Sequence, residues 1–200
     1  HSIAVNVLMD FLAESTDVDS LVAVGHRVVH GGPKYSDPQR VTLEMIEALR
    51  QLNSFDPEHL PEEIMLSEAI SQRFPELTQI ACFDTAFHHD MPRVAQLLPI
   101  PRRYEAQGVR RYGFHGLSYA YLMQELERIA GTKVANGRVI LAHLGSGASM
   151  AAVYNRRSLD KTMSFTSSAG LLMSIRSGNL PHGLVSFSWG AETITAALCN

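Results

Sequence analysis

Apolar residues recur with two different spacings along the first 84 residues. A helical spacing predicts helices over residues 3–14, 42–52 and 61–74. Mostly apolar runs over residues 21–29 and 77–83 predict buried strands instead. Strands that alternate with helices are typical of an α/β layer, so this part of the chain is predicted to form one.

The pattern changes after residue 84. Residues 84–114 contain several prolines and charges, which predict a long irregular connection. A helix is predicted over residues 115–131, because apolar residues recur at helical spacing and Gly131 is suited to cap its end. Two alternating strands, 138–144 and 148–154, flank a GSG turn and predict a β-hairpin. A last helix is expected from Glu192.

Composition narrows the class of protein. The 200 residues carry a formal net charge of -3, are 46% hydrophobic and include two cysteines. This is enough apolar material for a core without disulfides, and the charge gives no reason to expect a nucleic acid or a membrane as partner. The first residues have no basic leader and include Asp10 and Glu14, which argues against a signal peptide, and they lack an initiating methionine. We therefore expect a cytoplasmic protein and interpret the sequence as a piece of a longer chain.

The segment GHRVVHGG places Arg27 near the glycine-rich end of a predicted strand. An arginine there is a candidate for binding an anionic ligand, and the competing interpretation is a structural ion pair. His26 and His30 share the spacing of helical zinc ligands. Because glycines disfavour a helix here, we do not expect a metal site.

Asp84 directly follows the apolar run TQIACF. The carboxyl end of a strand is where open α/β sheets place ligand-binding groups, so Asp84 is a candidate acid, base or anchor. The alternative is a helix or turn cap. His88, His89 and Asp90 come next, and we interpret them as a solvated turn rather than a metal site.

His115 lies in RRYGFHG, immediately before a predicted helix. Backbone N–H groups at such a position bind anions, so His115 is a candidate donor to a phosphoryl oxygen. The alternatives are a helix cap and packing against Tyr112.

The turn HLGSGAS contains Gly145 and Gly147 on either side of Ser146. Its backbone N–H groups are free of side-chain obstruction and suit phosphate oxygens, although most such turns only connect strands. Arg176, in IRSGN, is a further candidate because a guanidinium binds carboxylate and phosphate equally well.

Taken together, the chain resembles the acetate kinase family over essentially its whole length. The resemblance rests on the order and approximate spacing of the segments GHRVVHGG, FDTAFHHDMP, RRYGFHGLSY, HLGSGAS and DKTMSFTSSAGLLMSIRSG. It implies the two-lobed α/β fold of sugar kinases, Hsp70-type chaperones and actin, which is ribonuclease H-like. This chain would be a central fragment, with residues 1–86 from the end of the first lobe and 87–200 from the start of the second.

The resemblance also implies a reaction. ATP would phosphorylate a short carboxylate such as acetate to an acyl phosphate, reversibly and with Mg²⁺, in a protein that is a homodimer at full length. Arg27 and Arg176 would clamp the carboxylate and the phosphoryl group. Asp84 would orient the substrate and the arginine, since an anionic acceptor needs no strong base. His115 would stabilise transition-state charge. The implied phosphate-binding turn comprises His143, Gly145, Ser146 and Gly147.

Some residues depart from the family pattern. Within DKTMSFTS, Lys161 and Ser167 stand where threonine and proline are usual. We expect an acceptor pocket formed by Val29, His59, Phe114 and Ser167. Ser167, together with Glu58 where leucine is usual, predicts that it admits an acid larger or more polar than acetate. The departures also support an alternative, a non-catalytic remnant that keeps the fold and some anion binding.

Overall fold

The computed structural model describes residues 2–15 and 20–180, and its contacts divide the chain into two compact units, His1–Ala86 and Phe87–Asn200. The first contains α1 (Ser2–Ser15), β1 (Ala23–Val28), β2 (Gln39–Arg40), α2 (Leu43–Arg50), α3 (Leu60–Arg73) and β3 (Thr78–Phe83). The second contains α4 (Arg93–Gln96), α5 (Gly116–Ala130), α6 (Thr132–Ala135), β4 (Arg138–Leu144), β5 (Ala148–Tyr154) and β6 (Arg157–Lys161). Whether these units are parts of two lobes stays a prediction.

The sheet of the first unit has the strand order β1-β3-β2. β1 and β3 are parallel and in register from Ala23 opposite Thr78 to Val28 opposite Phe83, and β2 pairs antiparallel with β3. A parallel pair requires a crossover connection, which α2 and α3 supply. The chain therefore leaves β1 and β3 at the same edge of the sheet.

Two helix starts in the first unit follow from local chemistry. The Thr42 hydroxyl accepts a hydrogen bond from the Met45 backbone N at 3.1 Å and so caps α2. Pro61 lies in the first turn of α3, where its missing N–H costs nothing. Both helices contribute to a core shared with the strands, which includes Val28, Val29, Met45, Leu49, Leu60, Ile64, Ala81 and Phe83.

The second unit has an antiparallel sheet in the order β4-β5-β6. The GSG turn joins β4 to β5, and the Gly145 N–H donates to the Gly147 carbonyl at 3.0 Å across it. Buried residues of α5, α6, β4 and β5 form one hydrophobic cluster, namely Tyr119, Met123, Ala135, Leu141, Ala151 and Val153.

These elements confirm the α/β prediction, and each predicted helix and strand that the structure describes lies within two residues of its observed bounds. The predictions missed β2, α4, α6 and β6, which have five residues or fewer and no long apolar pattern. The helix expected from Glu192 lies outside the described residues. Within residues 2–15 and 20–180, no helix is both long and apolar enough to cross a membrane.

Candidate functional site

Arg27 and Asp84 form an ion pair where β1 and β3 end. Arg27 donates to Asp84 Oδ2 from Nε at 3.0 Å and from Nη2 at 2.5 Å. The Asp84 side chain is 2% exposed, whereas that of Arg27 is 55% exposed. The hydrogen bond to Asp84 raises the pKa of Arg27. A buried carboxylate thus fixes one edge of a guanidinium that is still open to solvent.

This geometry changes the interpretation of Asp84. Its carboxylate pairs with a side chain, and its backbone N–H donates to the Val28 carbonyl at 2.9 Å, so it does not act as the cap that was one alternative. Arg27 was interpreted either as a binder of an anionic ligand or as a partner in a structural ion pair. The observed ion pair agrees with both, because an arginine held in this way can also bind an anion.

Glu63, which the sequence analysis did not select, lies beside this pair. Its Oε2 accepts a hydrogen bond from the Val29 backbone N at 2.8 Å and so ties α3 to the end of β1. Burial raises the pKa of the Glu63 carboxyl to about 7, although this hydrogen bond and Arg27 act in the opposite direction. Val29 itself is fully buried in the first unit.

His59 precedes α3 and is held by Asp56. The Asp56 Oδ1 atom lies 2.8 Å from His59 Nδ1 and accepts from the His59 backbone N at 3.1 Å. Burial acts to raise the pKa of Asp56, but the bonds from His59 outweigh it and the pKa is lowered. No group of three or more His, Cys, Asp or Glu side chains within the described part of the chain is arranged to hold a metal ion.

In the second unit, the GSG turn brings His115 and Arg176 together. A Cβ atom added to Gly147 would lie 3.2 Å from His115 Nε2 and 3.8 Å from Arg176 Nη1. The Ser146 carbonyl accepts hydrogen bonds from the backbone N and the hydroxyl of Ser174, at 3.3 and 3.1 Å. The bare glycine therefore leaves a small space lined by cationic or polar nitrogen atoms. We call residues 115, 143, 145–147 and 176 the glycine-turn cluster.

His115 has a left-handed backbone, with φ of 61°, at the position before α5. Its side chain makes no capping hydrogen bond, so the cap interpretation is wrong. Instead, Nδ1 lies 2.8 Å from the Ser149 hydroxyl. The ring stacks on that of His143, with centroids 4.0 Å apart, and His143 Nδ1 lies 3.0 Å from the Ser118 hydroxyl. Neither serine is predicted from the sequence, because they lie 34 and 25 positions from their histidines.

His88 contradicts the expectation of a solvated turn. The side chain is 1% exposed, and burial lowers its pKa to about 4. Because a carbonyl oxygen can only accept, His88 Nε2 donates to the Phe114 carbonyl at 3.2 Å, and the Ser158 hydroxyl then donates to Nδ1 at 2.8 Å. His88 thereby fixes the backbone next to His115. The expectation was wrong because the 3-10 turn Ala86–His88 directs this ring into the protein.

Comparison with known proteins identifies the family. The model of the acetokinase family matches residues 1–198. The chain belongs to the acetokinase family. It is 47% identical over 196 residues to an acetate kinase of Rhodopseudomonas palustris strain TIE-1, covering 98% of this chain and 49% of that protein. It is 42% identical over 191 residues to an acetate kinase of Sulfurovum sp. strain NBC37-1, covering 94% and 48%.

Solved structures agree with this family. A propionate kinase from Francisella tularensis subsp. tularensis SCHU S4 superposes with a TM-score of 0.87 at 35% identity, covering 96% of this chain and 51% of that one. An acetate kinase from Porphyromonas gingivalis gives 0.85 at 36% identity, covering 98% and 51%. The α/β fold predicted from the resemblance is therefore confirmed, and the chain spans about half the length of the relatives it matches.

The structure distributes the predicted site residues over both units. Arg27, Val29, His59 and Asp84 belong to the first unit, and Phe114, His115, His143, Gly145, Ser146, Gly147, Ser167 and Arg176 belong to the second. Within the second unit, the structure brings together the members of the glycine-turn cluster, whereas Phe114 and Ser167 are buried. The catalytic and binding roles of all these residues stay predictions.

Proposed function

We propose that the protein phosphorylates a short-chain carboxylate with ATP, reversibly, to give an acyl phosphate. The observation that carries the proposal is the approach of His115 Nε2 and Arg176 Nη1 to the bare Gly147. Phosphoryl transfer needs in-line positioning and cationic stabilisation of the equatorial oxygens more than covalent chemistry, and these groups are suited to supply it. The acetate and propionate kinases similar to this chain support the same reaction.

The two units would contribute different steps. In the second unit, the backbone N–H groups of Ser146 and Gly147 would bind phosphate oxygens, since that of Gly145 donates to the Gly147 carbonyl. His115 and Arg176 would stabilise the charge that develops on the transferred group. In the first unit, Asp84 would hold Arg27 so that its exposed edge orients the carboxylate. A carboxylate is already an anionic nucleophile at neutral pH, so Asp84 would not act as a base.

The glycine turn supports the proposed binding of ATP through its phosphates. A Cβ atom would fill the space beside Gly147 that we assign to a phosphate oxygen. Mg²⁺ is commonly held by substrate phosphates with one or two carboxylates, so a kinase site needs no cluster of three metal ligands. When bound with the nucleotide, Mg²⁺ would neutralise phosphate charge. We place no described side chain on the metal.

The identity of the acceptor acid is part of the proposal. We assign the acceptor pocket to Val29, His59, Phe114 and Ser167 and propose that it takes an acid larger or more polar than acetate, because Ser167 replaces an apolar proline of the family pattern. A panel of short carboxylates, assayed by kcat/KM, tests this point. A clear preference for acetate over its larger and hydroxylated homologues would contradict it.

The proposed reaction itself is tested by product formation. The protein at its full natural length, incubated with ATP, Mg²⁺, a carboxylate and hydroxylamine, should form the hydroxamate of the acyl phosphate. The similarity to acetate and propionate kinases supports this reaction over the alternative of a non-catalytic remnant. That alternative predicts binding of ATP by calorimetry with no hydroxamate, a result that would overturn the proposal.

Three further expectations stay with the proposal. We infer that the two units are parts of the two lobes of the fold, that the full-length protein is a homodimer, and that it is cytoplasmic without a nucleic-acid or membrane partner. Light scattering after size exclusion tests the dimer, and a monomer at working concentrations would contradict it.

A further inference from the structure

Ser149 lies between His115 and Tyr119 in the second unit. Its hydroxyl oxygen is 2.8 Å from His115 Nδ1 and 2.5 Å from the Tyr119 hydroxyl. Ser149 is 1% exposed and Tyr119 is 0% exposed. Three polar groups thus form a continuous chain of hydrogen bonds away from water, which ends at one edge of the His115 ring.

Burial determines the direction of the hydrogen bonds in this chain. A buried hydroxyl that does not donate its proton is costly. Among the residues that the structure describes, the Ser149 oxygen is the one acceptor within reach of the Tyr119 hydroxyl. Burial raises the pKa of Tyr119, while a backbone hydrogen bond from His143 lowers it, as expected for an N–H that donates to the phenol oxygen. Tyr119 therefore donates to Ser149.

The serine hydroxyl has a single proton. Because its oxygen already accepts from Tyr119, that proton is directed to His115 Nδ1, which must be an acceptor. A neutral imidazole that accepts at Nδ1 carries its own proton at Nε2. Nε2 is the His115 atom closest to the position of a Cβ on Gly147, at 3.2 Å.

Stacking holds the ring in this orientation. The His115 and His143 rings are 4.0 Å apart at an angle of 20°, and the Ser118 hydroxyl fixes His143 in turn. Rotation of His115 about its side chain would break both the stack and the bond to Ser149. The ring is thereby held with Nδ1 towards Ser149 and Nε2 towards the glycine turn.

We infer that Ser149 and Tyr119 are positioning residues that fix the tautomer of His115, so that its Nε2–H donates to an anionic oxygen at the glycine turn. The identity of that anion as a transferred phosphoryl group rests on the proposed function. The hydrogen-bond chain itself does not, because it involves only side chains of the protein.

The direct test is imidazole ¹⁵N spectroscopy on the protein at its full natural length, with His115→Asn used to assign the signals. Native His115 should carry its proton at Nε2. Ser149→Ala should give a mixture of tautomers, and Tyr119→Phe, which keeps the ring and removes only the hydroxyl, should shift His115 the same way. Tyr121→Phe is the matched control, since Tyr121 is exposed on the same helix, and should change nothing. The inference would be overturned if native His115 carried its proton at Nδ1. It would also be overturned if the His115 tautomer were the same in Ser149→Ala and Tyr119→Phe as in the native protein.

Turnover provides a second readout. Ser149→Ala should lower kcat by roughly 10-fold to 100-fold, by analogy with the loss of hydrogen-bond partners of metal-binding histidines, with little change in KM for the carboxylate. Ser149→Thr keeps the hydroxyl and should retain the native tautomer and most of the turnover. If the protein forms no acyl phosphate, the proposed function is wrong, but the position of the proton on His115 still tests this inference. If it forms acyl phosphate with the wrong tautomer, only the inference fails.

Discussion

The two partners of the Arg27–Asp84 ion pair differ in burial, so their removal should have different effects. The carboxylate is inaccessible to water while its arginine is half exposed, so the two partners are not equivalent. Removing Asp84 would release a solvated cation, whereas removing Arg27 would leave a buried charge unpaired. A functional interpretation of Arg27 has to be separated from this effect on folding.

Replacement of Arg27 by alanine should lower the turnover of acyl phosphate formation by about 10³-fold or more, the scale on which arginines act in phosphoryl transfer. It should also lower the free energy of unfolding, because Asp84 loses its partner. Turnover is measured at a temperature where a melting curve shows the variant folded. Arg128→Ala, which removes a largely exposed arginine, is the control and should change neither quantity. Native turnover in a folded Arg27→Ala protein would exclude the proposed role.

Lys161 is the second residue whose burial has a measurable consequence. It is almost fully buried, and its Nζ donates to the Ala95 carbonyl at 3.3 Å. Burial, with the nearby Arg111, lowers the pKa of Lys161 from 10.5 to about 7. Folding therefore costs free energy at every pH at which Lys161 is protonated in the unfolded chain, because the folded protein disfavours the charged form. The penalty is full below pH 7 and disappears as the pH rises to 10.5.

Lys161→Met should accordingly raise the free energy of unfolding at pH 7 by roughly 1–4 kcal/mol, the range for replacing buried charges by apolar groups. The gain over the native protein should shrink between pH 7 and 10.5. Denaturant melts across this pH range measure it, with the exposed Lys133→Met as control. A gain that is independent of pH, or a loss at pH 7, would contradict this account of Lys161.

The sequence predicted the candidate site residues but not the residues that bind to them in the fold. Arg27, Asp84, His115 and Arg176 were identified because each lies in a recognisable segment. Glu63, Ser149 and Tyr119 were not, since their roles depend on neighbours some 30 positions away that only the fold brings close. The burial of His88 and Lys161 was missed for the same reason, because charge alone predicts exposure.

At the scale of elements, periodicity predicted the long helices and the strands well. It missed the short elements, where few residues determine the pattern; β6, with the sequence RSLDK, carries three charges in five residues. The hairpin was predictable because alternation and a glycine turn both indicate it. The connection between α3 and β1 through Glu63 could not be predicted, because it joins a helix to a backbone N–H.

Glu63→Gln tests that connection. Glutamine keeps an oxygen that can accept from the Val29 N–H but cannot ionise. Because the folded pKa of Glu63 is about 7 and the ordinary value is 4.5, ionisation disfavours folding, and the penalty grows from pH 4.5 to 7. The free energy of unfolding of the native protein relative to the variant should therefore fall over this range and stay level above it. Glu76→Gln, at an exposed position, is the control. A difference that is constant from pH 4.5 to 7 would refute the coupling.

At the scale of the whole molecule, the two units of this member of the acetokinase family carry different polar groups. The first holds an arginine on a buried carboxylate, and the second holds two stacked histidines and an arginine at a glycine turn. Single motifs in the sequence were ambiguous, and the order of all of them favoured the family. Distances within the glycine-turn cluster, which support the proposed reaction, required the structure.

The most direct test of the central claim is the rate of acyl phosphate formation by Gly147→Ala. Its backbone tolerates a side chain, but the new Cβ would lie 3.2 Å from His115 Nε2, in the space assigned to a phosphate oxygen. Turnover should fall about 100-fold or more, as expected for a misplaced reacting group, in a protein that is still folded. Gly25→Ala, whose Cβ meets nothing within 4 Å, should keep native turnover. Native turnover in Gly147→Ala would contradict the assignment of the glycine turn to phosphoryl transfer.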